Sequence, residues 1–358
     1  MADMFDYLNW RGDLPFSVVP PTAVDALIFS ALVYIDLTGI VEADTKAPSS
    51  LQDAAHAGLA QPDAESKVRV KNDLKLLSAA AASVRFGDCR LVWYRDIFIP
   101  EEETQFAAMA YLLEDGSAFL AFRGTDYTVI GWKEDFNMSF QHSVPAQREA
   151  LRYTEEFAAA VPMVLHLGGH SKGGNLAVYA AAKAAPDVQQ RILHVYNHDG
   201  PGFTESMMGD PGYINMVPRI RTYIPESSII GMLLEHEEPY TVIKSTLPSV
   251  LQHEPYSWAV MGGDFIHVKE ISEANRFLNQ TIKNWIADMP PEERGEFVQT
   301  VFELLDTSGS EQLSDLLHPK KIHTVFKTLS KDEKTRKLLA GEMVEFLRSA
   351  FEARDQLR

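Results

Sequence analysis

The chain has 358 residues, of which 46% are hydrophobic and 23% are charged, as in ordinary globular proteins. Its 33 Lys and Arg residues against 50 Asp and Glu residues give a formal net charge of −17. That excess of negative charge argues against nucleic acid or an anionic membrane surface as a partner. The length suggests two domains, or one large domain with an appendage.

Neither targeting nor disulfide chemistry is indicated by the sequence. The N-terminus has no basic stretch leading into an apolar one, as a secretory signal would. The longest early apolar run, 26–35, covers about ten residues, against the roughly 20 that span a bilayer. The one cysteine, Cys89, permits neither an internal disulfide nor a cysteine-based metal site. We therefore expect a cytoplasmic protein with no stable membrane insertion.

Hydrophobic periodicity predicts helices first and strands afterwards. Apolar residues at spacings of three and four predict helices over 22–37, with Thr22 as a possible cap, and over 67–84. A strand pattern follows over 90–99. Two further strands, 105–113 and 117–122, flank Asp115-Gly116, a strong hairpin turn pair.

Strands and helices then alternate. A short apolar run at 163–167 precedes a helical pattern at 175–185, and strand patterns follow at 191–196, 220–224 and 240–245. This order predicts an α/β domain over residues 1–266, with a mainly parallel sheet, an antiparallel start and an N-terminal helical head. From residue 267 to 358 the patterns are helical, which predicts a C-terminal helical extension. It would cap the sheet domain or form an independent partner-binding module.

The strongest chemical signal is Gly169-His170-Ser171-Lys172-Gly173, a Gly-x-Ser-x-Gly nucleophile elbow. The serine of such an elbow lies on a sharp strand-to-helix turn, where glycines on either side avoid a collision. An apolar run precedes the motif and a helical pattern follows it, as the elbow requires. The backbone amide of Lys172 would then point at a developing oxyanion beside Ser171.

Together with the elbow, two segments resemble the class 3 lipases, a branch of the α/β-hydrolases. They are Ala-Phe-Arg-Gly-Thr-Asp at 121–126 and Gly-Trp-Lys-Glu-Asp-Phe at 131–136. As a whole the chain looks most like an uncharacterised bacterial family within that superfamily, whose members resemble it in Asp-Gly-Pro-Gly-Phe at 199–203 and Gln-His-Glu-Pro-Tyr-Ser-Trp at 252–258. The resemblance covers roughly residues 1–270. The resemblance implies an α/β-hydrolase fold, and an oxyanion hole to which Thr125 contributes. The predicted helical tail is not part of the lipase pattern.

A serine nucleophile needs a base, which this fold supplies after the acid in chain order. His253 lies in a polar, proline-bounded loop after the last predicted strand and is our candidate. His236, just before that strand, is the alternative. His194 lies inside a strand, where a histidine is more often a packed residue.

The acid is ambiguous. In class 3 lipases the acid is an Asp that follows the strand after the Gly-Ser-Pro-like turn. The matching position here, after the predicted strand 220–224, is Ser228. Asp199, which ends the preceding strand, is our candidate for the acid, and Glu226 is the alternative. A third possibility is that Ser228 itself orients the imidazole.

The sequence thus predicts a serine hydrolase that cleaves a carboxylic ester or thioester of an apolar acyl group through an acyl-enzyme on Ser171. Its substrate would be a small acyl ester or a lipid-like molecule, and no cofactor or metal is implied. Two alternatives remain open: a non-catalytic α/β-hydrolase scaffold for protein interaction, and an acyltransferase.

Overall fold

In the computed structural model the described residues are 1–44, 47–125, 137–138, 141–228 and 230–271, with isolated positions between 276 and 296. The lipase-like segment at 131–136 and most of the predicted tail helices lie outside the described residues.

Five helices form the N-terminal head: α1 (Met4–Arg11), α2 (Ala23–Leu32), α3 (Leu51–Leu59), α4 (Lys71–Ala81) and α5 (Val84–Gly87). Thr22 caps α2 as predicted, in a capping box with Asp25. Helix α2 ends at Leu32, five positions short of the prediction. The next turn continues with tighter bonds, from the amide of Tyr34 to the carbonyl of Ala31, so the apolar spacing persists beyond the helix.

Eight strands form one sheet in chain order: β1 (Ser49–Ser50), β2 (Arg90–Ile99), β3 (Thr104–Leu112), β4 (Ser117–Phe122), β5 (Val164–His170), β6 (Ile192–His198), β7 (Ile220–Pro225) and β8 (Tyr240–Ile243). A separate two-stranded sheet pairs β9 (Val260–Met261) with β10 (Asp264–Phe265). Strands β3 and β4 form the predicted antiparallel hairpin, and β4 to β8 are parallel.

The register of the parallel strands decides where a site can form. His170 pairs with His198, and His198 with Tyr223, so the carboxyl ends of β5, β6 and β7 are level with one another. Residues that follow these strands are therefore brought to one edge of the sheet, where open α/β sheets bind their ligands.

Both faces of the sheet are covered. On one side the head packs its apolar surface against the sheet, with Phe29 of α2 against Phe119 of β4. On the other side lie α6 (Pro145–Ala160), α7 (Lys172–Lys183), α8 (Pro186–Arg191), α9 (Glu205–Met208) and α10 (Pro211–Met216). There Tyr153 of α6 packs against Phe122 of β4. A mainly parallel sheet between two helical layers confirms the predicted α/β-hydrolase fold.

The chain divides into two compact units. One comprises Met1–Phe98, Phe106–Gly124 and Ala146–Ile271, and it contains the head and nearly all of the sheet. The other comprises Ile99–Gln105, Thr125–Pro145 and Ser272–Arg358, much of it outside the described residues. The predicted boundary between residues 266 and 267 stays a prediction. Among the described helices, none combines the length and the apolar character that crossing a bilayer requires.

Candidate active site

Ser171 lies between β5 and α7 with φ 59° and ψ −136°, a left-handed conformation that is rare for a non-glycine residue. The flanking glycines are required by close packing. A Cβ at position 169 would lie 2.2 Å from the carbonyl carbon of Gly173, and one at position 173 would lie 2.1 Å from the carbonyl oxygen of Phe122. Strand β5 extends through the glycines to His170, beyond the predicted run, because it is paired on both sides. The strained backbone places Ser171 at the tip of a sharp turn.

The segment after β4 approaches the elbow. A Cβ at Gly124 would lie 2.5 Å from the carbonyl oxygen of His170 and 3.1 Å from the Cβ of Ser171. Thr125 is the next residue in the chain, and the buried Lys172 opens α7. The convergence of the Thr125 and Lys172 amides on an oxyanion stays a prediction.

Asp199 follows β6 beside the elbow. The amide of Ser171 donates to the carbonyl of His198 at 2.9 Å, and the amide of Asp199 donates to the carbonyl of Tyr223 at 2.9 Å. Asp199 has φ 56°, which Asp tolerates better than most residues. These backbone bonds hold Asp199, fully buried, next to the nucleophile turn.

His253 closes a short 3₁₀ turn, Ser249–His253, that follows β8. Its Nδ1 lies 2.6 Å from Oδ2 of Asp199. Since a carboxylate accepts, Nδ1 donates to Asp199, and Nε2 is the ring nitrogen that this contact leaves unused. The His253 side chain is 28% exposed, whereas that of Asp199 is buried. Within the described part of the chain no hydrogen bond joins the Ser171 hydroxyl to His253, and the approach of these two groups stays a prediction.

Ser228 contacts the carboxylate oxygen of Asp199 that His253 does not reach. Its hydroxyl lies 2.5 Å from Oδ1 of Asp199, and the amide of Gly231 donates to the Ser228 oxygen at 3.0 Å. Both carboxylate oxygens of Asp199 therefore receive a hydrogen bond, one from Ser228 and one from His253. A buried carboxylate is tolerated only with such donors, because burial removes its water.

The two alternative residues are engaged elsewhere. Glu226 lies 3.8 Å from the ammonium of Lys244 and is partly exposed. The side chain of His236 is only 4% exposed. Both of its ring nitrogens have partners: Glu238 at 3.0 Å and the carbonyl of Gly231 at 2.8 Å. A ring that is satisfied at both nitrogens has none left to take a proton from a serine.

The main chain of His253 is tied to the nucleophile strand. His170 Nε2 donates to the His253 carbonyl at 2.8 Å, and the Tyr34 hydroxyl lies 3.2 Å from His170 Nδ1. Complete burial, together with the nearby ring of His253, holds the pKa of His170 well below its ordinary value. A neutral His170 can donate to the carbonyl and accept from Tyr34, and it thereby joins the main chain of His253 to the residue before Ser171.

Residues of the N-terminal head hold the segment that follows His253. Arg69 makes two hydrogen bonds to Glu254, at 2.9 and 2.8 Å, and the Tyr256 hydroxyl donates to Asp73 at 2.6 Å. Sequence reasoning missed these residues, as it missed Tyr34. The partners are 185 and 183 positions apart, and no local pattern relates them.

Comparison with known proteins places the chain in a family. The family model described as Mbeg1-like matches residues 80–303. None of the curated proteins matches the chain. Among solved structures, the chain is similar to a mutant form of MDLA from Penicillium cyclopium, at 16% identity over 68% of this chain and 83% of that one, with a TM-score of 0.38.

It is also similar to the native Rhizomucor miehei lipase propeptide complex, at 15% identity over 66% of this chain and 84% of that one, with a TM-score of 0.33. The match to the family model spans well over half of the chain. The chain therefore belongs to the Mbeg1-like family, a lipase-like class 3 family.

Proposed function

We propose that the protein is a serine hydrolase that cleaves an ester or thioester of an apolar acyl group. The observation that carries the proposal is the 2.6 Å contact between His253 and Asp199 beside the strained Ser171 elbow. A nucleophile on a strand-to-helix turn, a histidine with a bare Nε2 and a buried carboxylate behind it are the three parts that acyl transfer requires.

In the first half of the reaction, Ser171 Oγ attacks the substrate carbonyl carbon while His253 Nε2 takes the hydroxyl proton. Asp199 accepts the bond from Nδ1 and stabilises the imidazolium that forms. The tetrahedral oxyanion is stabilised by the amides of Thr125 and Lys172 and by the positive end of α7. When the C–O or C–S bond breaks, the leaving alcohol or thiol receives the proton from His253.

The acyl group is then bound to Ser171 as an ester. Water attacks this ester while His253 takes one of its protons. When the second tetrahedral intermediate breaks the acyl–Oγ bond, His253 returns that proton to Ser171 Oγ, and the carboxylic acid leaves. An acyltransferase would run the same second half with an alcohol or amine in place of water.

A fluorophosphonate probe tests the proposal directly, because it reacts only with an activated serine. We expect the wild-type protein to be labelled and Ser171→Ala to lose labelling and the hydrolysis of p-nitrophenyl butyrate together. Ser206→Ala, which alters an exposed serine, is the matched control. Labelling that persists in Ser171→Ala would refute the assignment of the nucleophile. A wild-type protein that is neither labelled nor active would favour the scaffold alternative.

A further inference from the structure

The hydrogen bonds that support Asp199 continue beyond Ser228. The Gly231 amide donates to Ser228, and the Gly231 carbonyl accepts from His236 Nε2 at 2.8 Å. The other ring nitrogen of His236 faces Glu238 at 3.0 Å. The carbonyl and the carboxylate are both hydrogen-bond acceptors, and together they occupy both ring nitrogens of His236.

Glu238 fixes this end of the chain of bonds. It is buried, and it also accepts from the hydroxyls of Tyr213 at 2.6 Å and Thr222 at 2.7 Å. Burial alone would raise the pKa of Glu238, but hydrogen bonds from His236, Tyr213 and Thr222 and the charge of His236 bring it below its ordinary value. Glu238 is therefore a charged anchor that holds the ring of His236 in place.

Gly231, Ser228, Asp199 and His253 are joined by successive hydrogen bonds, and the donor of each bond follows from the chemistry of its atoms. An amide N–H can only donate, so Ser228 Oγ accepts from Gly231 and gives its own hydrogen to Oδ1 of Asp199. A Cβ at Gly231 would lie 2.2 Å from that same oxygen, so the turn presses directly against the carboxylate. The orientation of Asp199 is thus set by the Gly231 turn as well as by His253.

The segment after β6, which carries Asp199, and the segment after β7, which carries Ser228, are also joined by backbone hydrogen bonds. The amide of Gly202 donates to the carbonyl of Leu233 at 2.8 Å, and Phe203 and Glu235 exchange two bonds at 2.8 and 3.1 Å. The segment that carries Asp199 and the segment that carries Ser228 are therefore held as one piece.

We propose that Ser228 is a positioning residue for the acid, and that His236 and Glu238 hold the Gly231 turn from which Ser228 acts. This inference rests on the proposed function. Ser228 donates to one carboxylate oxygen of Asp199, so a variant without that hydroxyl leaves the buried carboxylate with one donor fewer.

The test compares Ser228→Ala and Ser228→Cys with wild type. Cysteine nearly keeps the size of serine but is a weak donor, which guards against loss of the fold. Ser227→Ala, which removes a hydroxyl one residue away, is the matched control. Two quantities are measured for each protein: the pH profile of kcat/KM for p-nitrophenyl butyrate, and the NMR titration of the His253 ring.

We expect Ser228→Ala to shift the acidic limb of the profile, and the His253 titration, upward by about one pH unit. It should lower kcat about tenfold with KM changed less than twofold, because the hydroxyl supports the acid and does not touch substrate. Ser228→Cys should shift both in the same direction by less, and Ser227→Ala should match wild type.

Profiles and titrations that stay at the wild-type position in both Ser228 variants would overturn the inference. So would a loss in Ser227→Ala equal to that in Ser228→Ala. If the wild-type protein has no Ser171-dependent activity, the proposed function fails, and the His253 titration then tests the support of Asp199 by Ser228 on its own.

Discussion

The His253–Asp199 pair and the His236–Glu238 pair have the same chemistry and different surroundings. In both, a histidine Nδ1 faces a fully buried carboxylate, at 2.6 and 3.0 Å. The side chain of His253 is more than a quarter exposed, and no described residue hydrogen-bonds its Nε2. The side chain of His236 is only 4% exposed, and its Nε2 is bonded to the Gly231 carbonyl. A histidine–carboxylate pair can act as a base only where the outer nitrogen stays open to substrate.

Strand register explains why Asp199 is the carboxylate that His253 contacts. Asp199 and Ser228 lie after neighbouring strands, at level carboxyl ends, and their side chains meet at 2.5 Å. A carboxylate from the end of β6 therefore reaches His253, and the serine after β7 becomes its support. The departure from the lipase pattern at Ser228 leaves a complete arrangement of donors around one carboxylate.

The largest effect is expected at the His253–Asp199 pair, whose outer nitrogen is open. Asp199→Asn should lower kcat/KM for p-nitrophenyl butyrate by about 10⁴-fold, since an amide favours the wrong tautomer of the base. Glu226→Gln is the matched control and should stay near wild type, because Glu226 faces Lys244. Steady-state kinetics of the two variants measures this. The reverse result would move the acid to Glu226.

At the His236–Glu238 pair, where both ring nitrogens are bonded, we expect an effect on the free energy of unfolding. Glu238→Gln removes a buried carboxylate that pairs with His236 and accepts from Tyr213 and Thr222, and we expect a loss of about 3–5 kcal/mol in the free energy of unfolding. The double variant His236→Gln with Glu238→Gln should lose less, because both members of the pair are replaced together. Urea denaturation measures both. His267→Gln, which removes the ring of an exposed ion pair with Asp264, is the control and should change stability by about 1 kcal/mol or less. An unchanged stability in Glu238→Gln would contradict the structural role.

Buried histidines without a carboxylate extend the comparison and should give the smallest effect. Burial lowers the pKa of His198 to about 3 and that of His166 to about 4, with the neighbouring His194 adding to the shift of His166. In the unfolded chain both take up protons near pH 6.5. The unfolded state therefore binds more protons below that pH, and stability, complete above about pH 6.5, falls as the pH drops toward the folded values.

Each of these two rings should contribute a slope of about 1.4 kcal/mol per pH unit between roughly pH 6 and 4. Unfolding free energies measured across this range in wild type and His166→Gln should differ in slope by one proton. Equal slopes would show that the ring of His166 is charged in the folded protein as well.

Local patterns predicted most of the elements and the sharp turn at Ser171 well. The capping box of Thr22, the hairpin at Asp115-Gly116 and the Gly-x-Ser-x-Gly turn depend on neighbours within a few positions, so the sequence displays them directly. Boundaries were less accurate. Strand β5 extends past its apolar run because ladder partners on both sides, which are distant in sequence, satisfy its glycines.

Chain order and the elbow alone determined that a base and an acid should follow Ser171, and they favoured His253 and Asp199. Only the tertiary structure decided that both ring nitrogens of His236 have partners and that Ser228 bonds Asp199. It also decided that the head holds the segment around His253, through Tyr34, Arg69 and Asp73. The physical reason is distance along the chain. A hydrogen bond between residues up to 185 positions apart depends on strand register and helix packing, which no local pattern specifies.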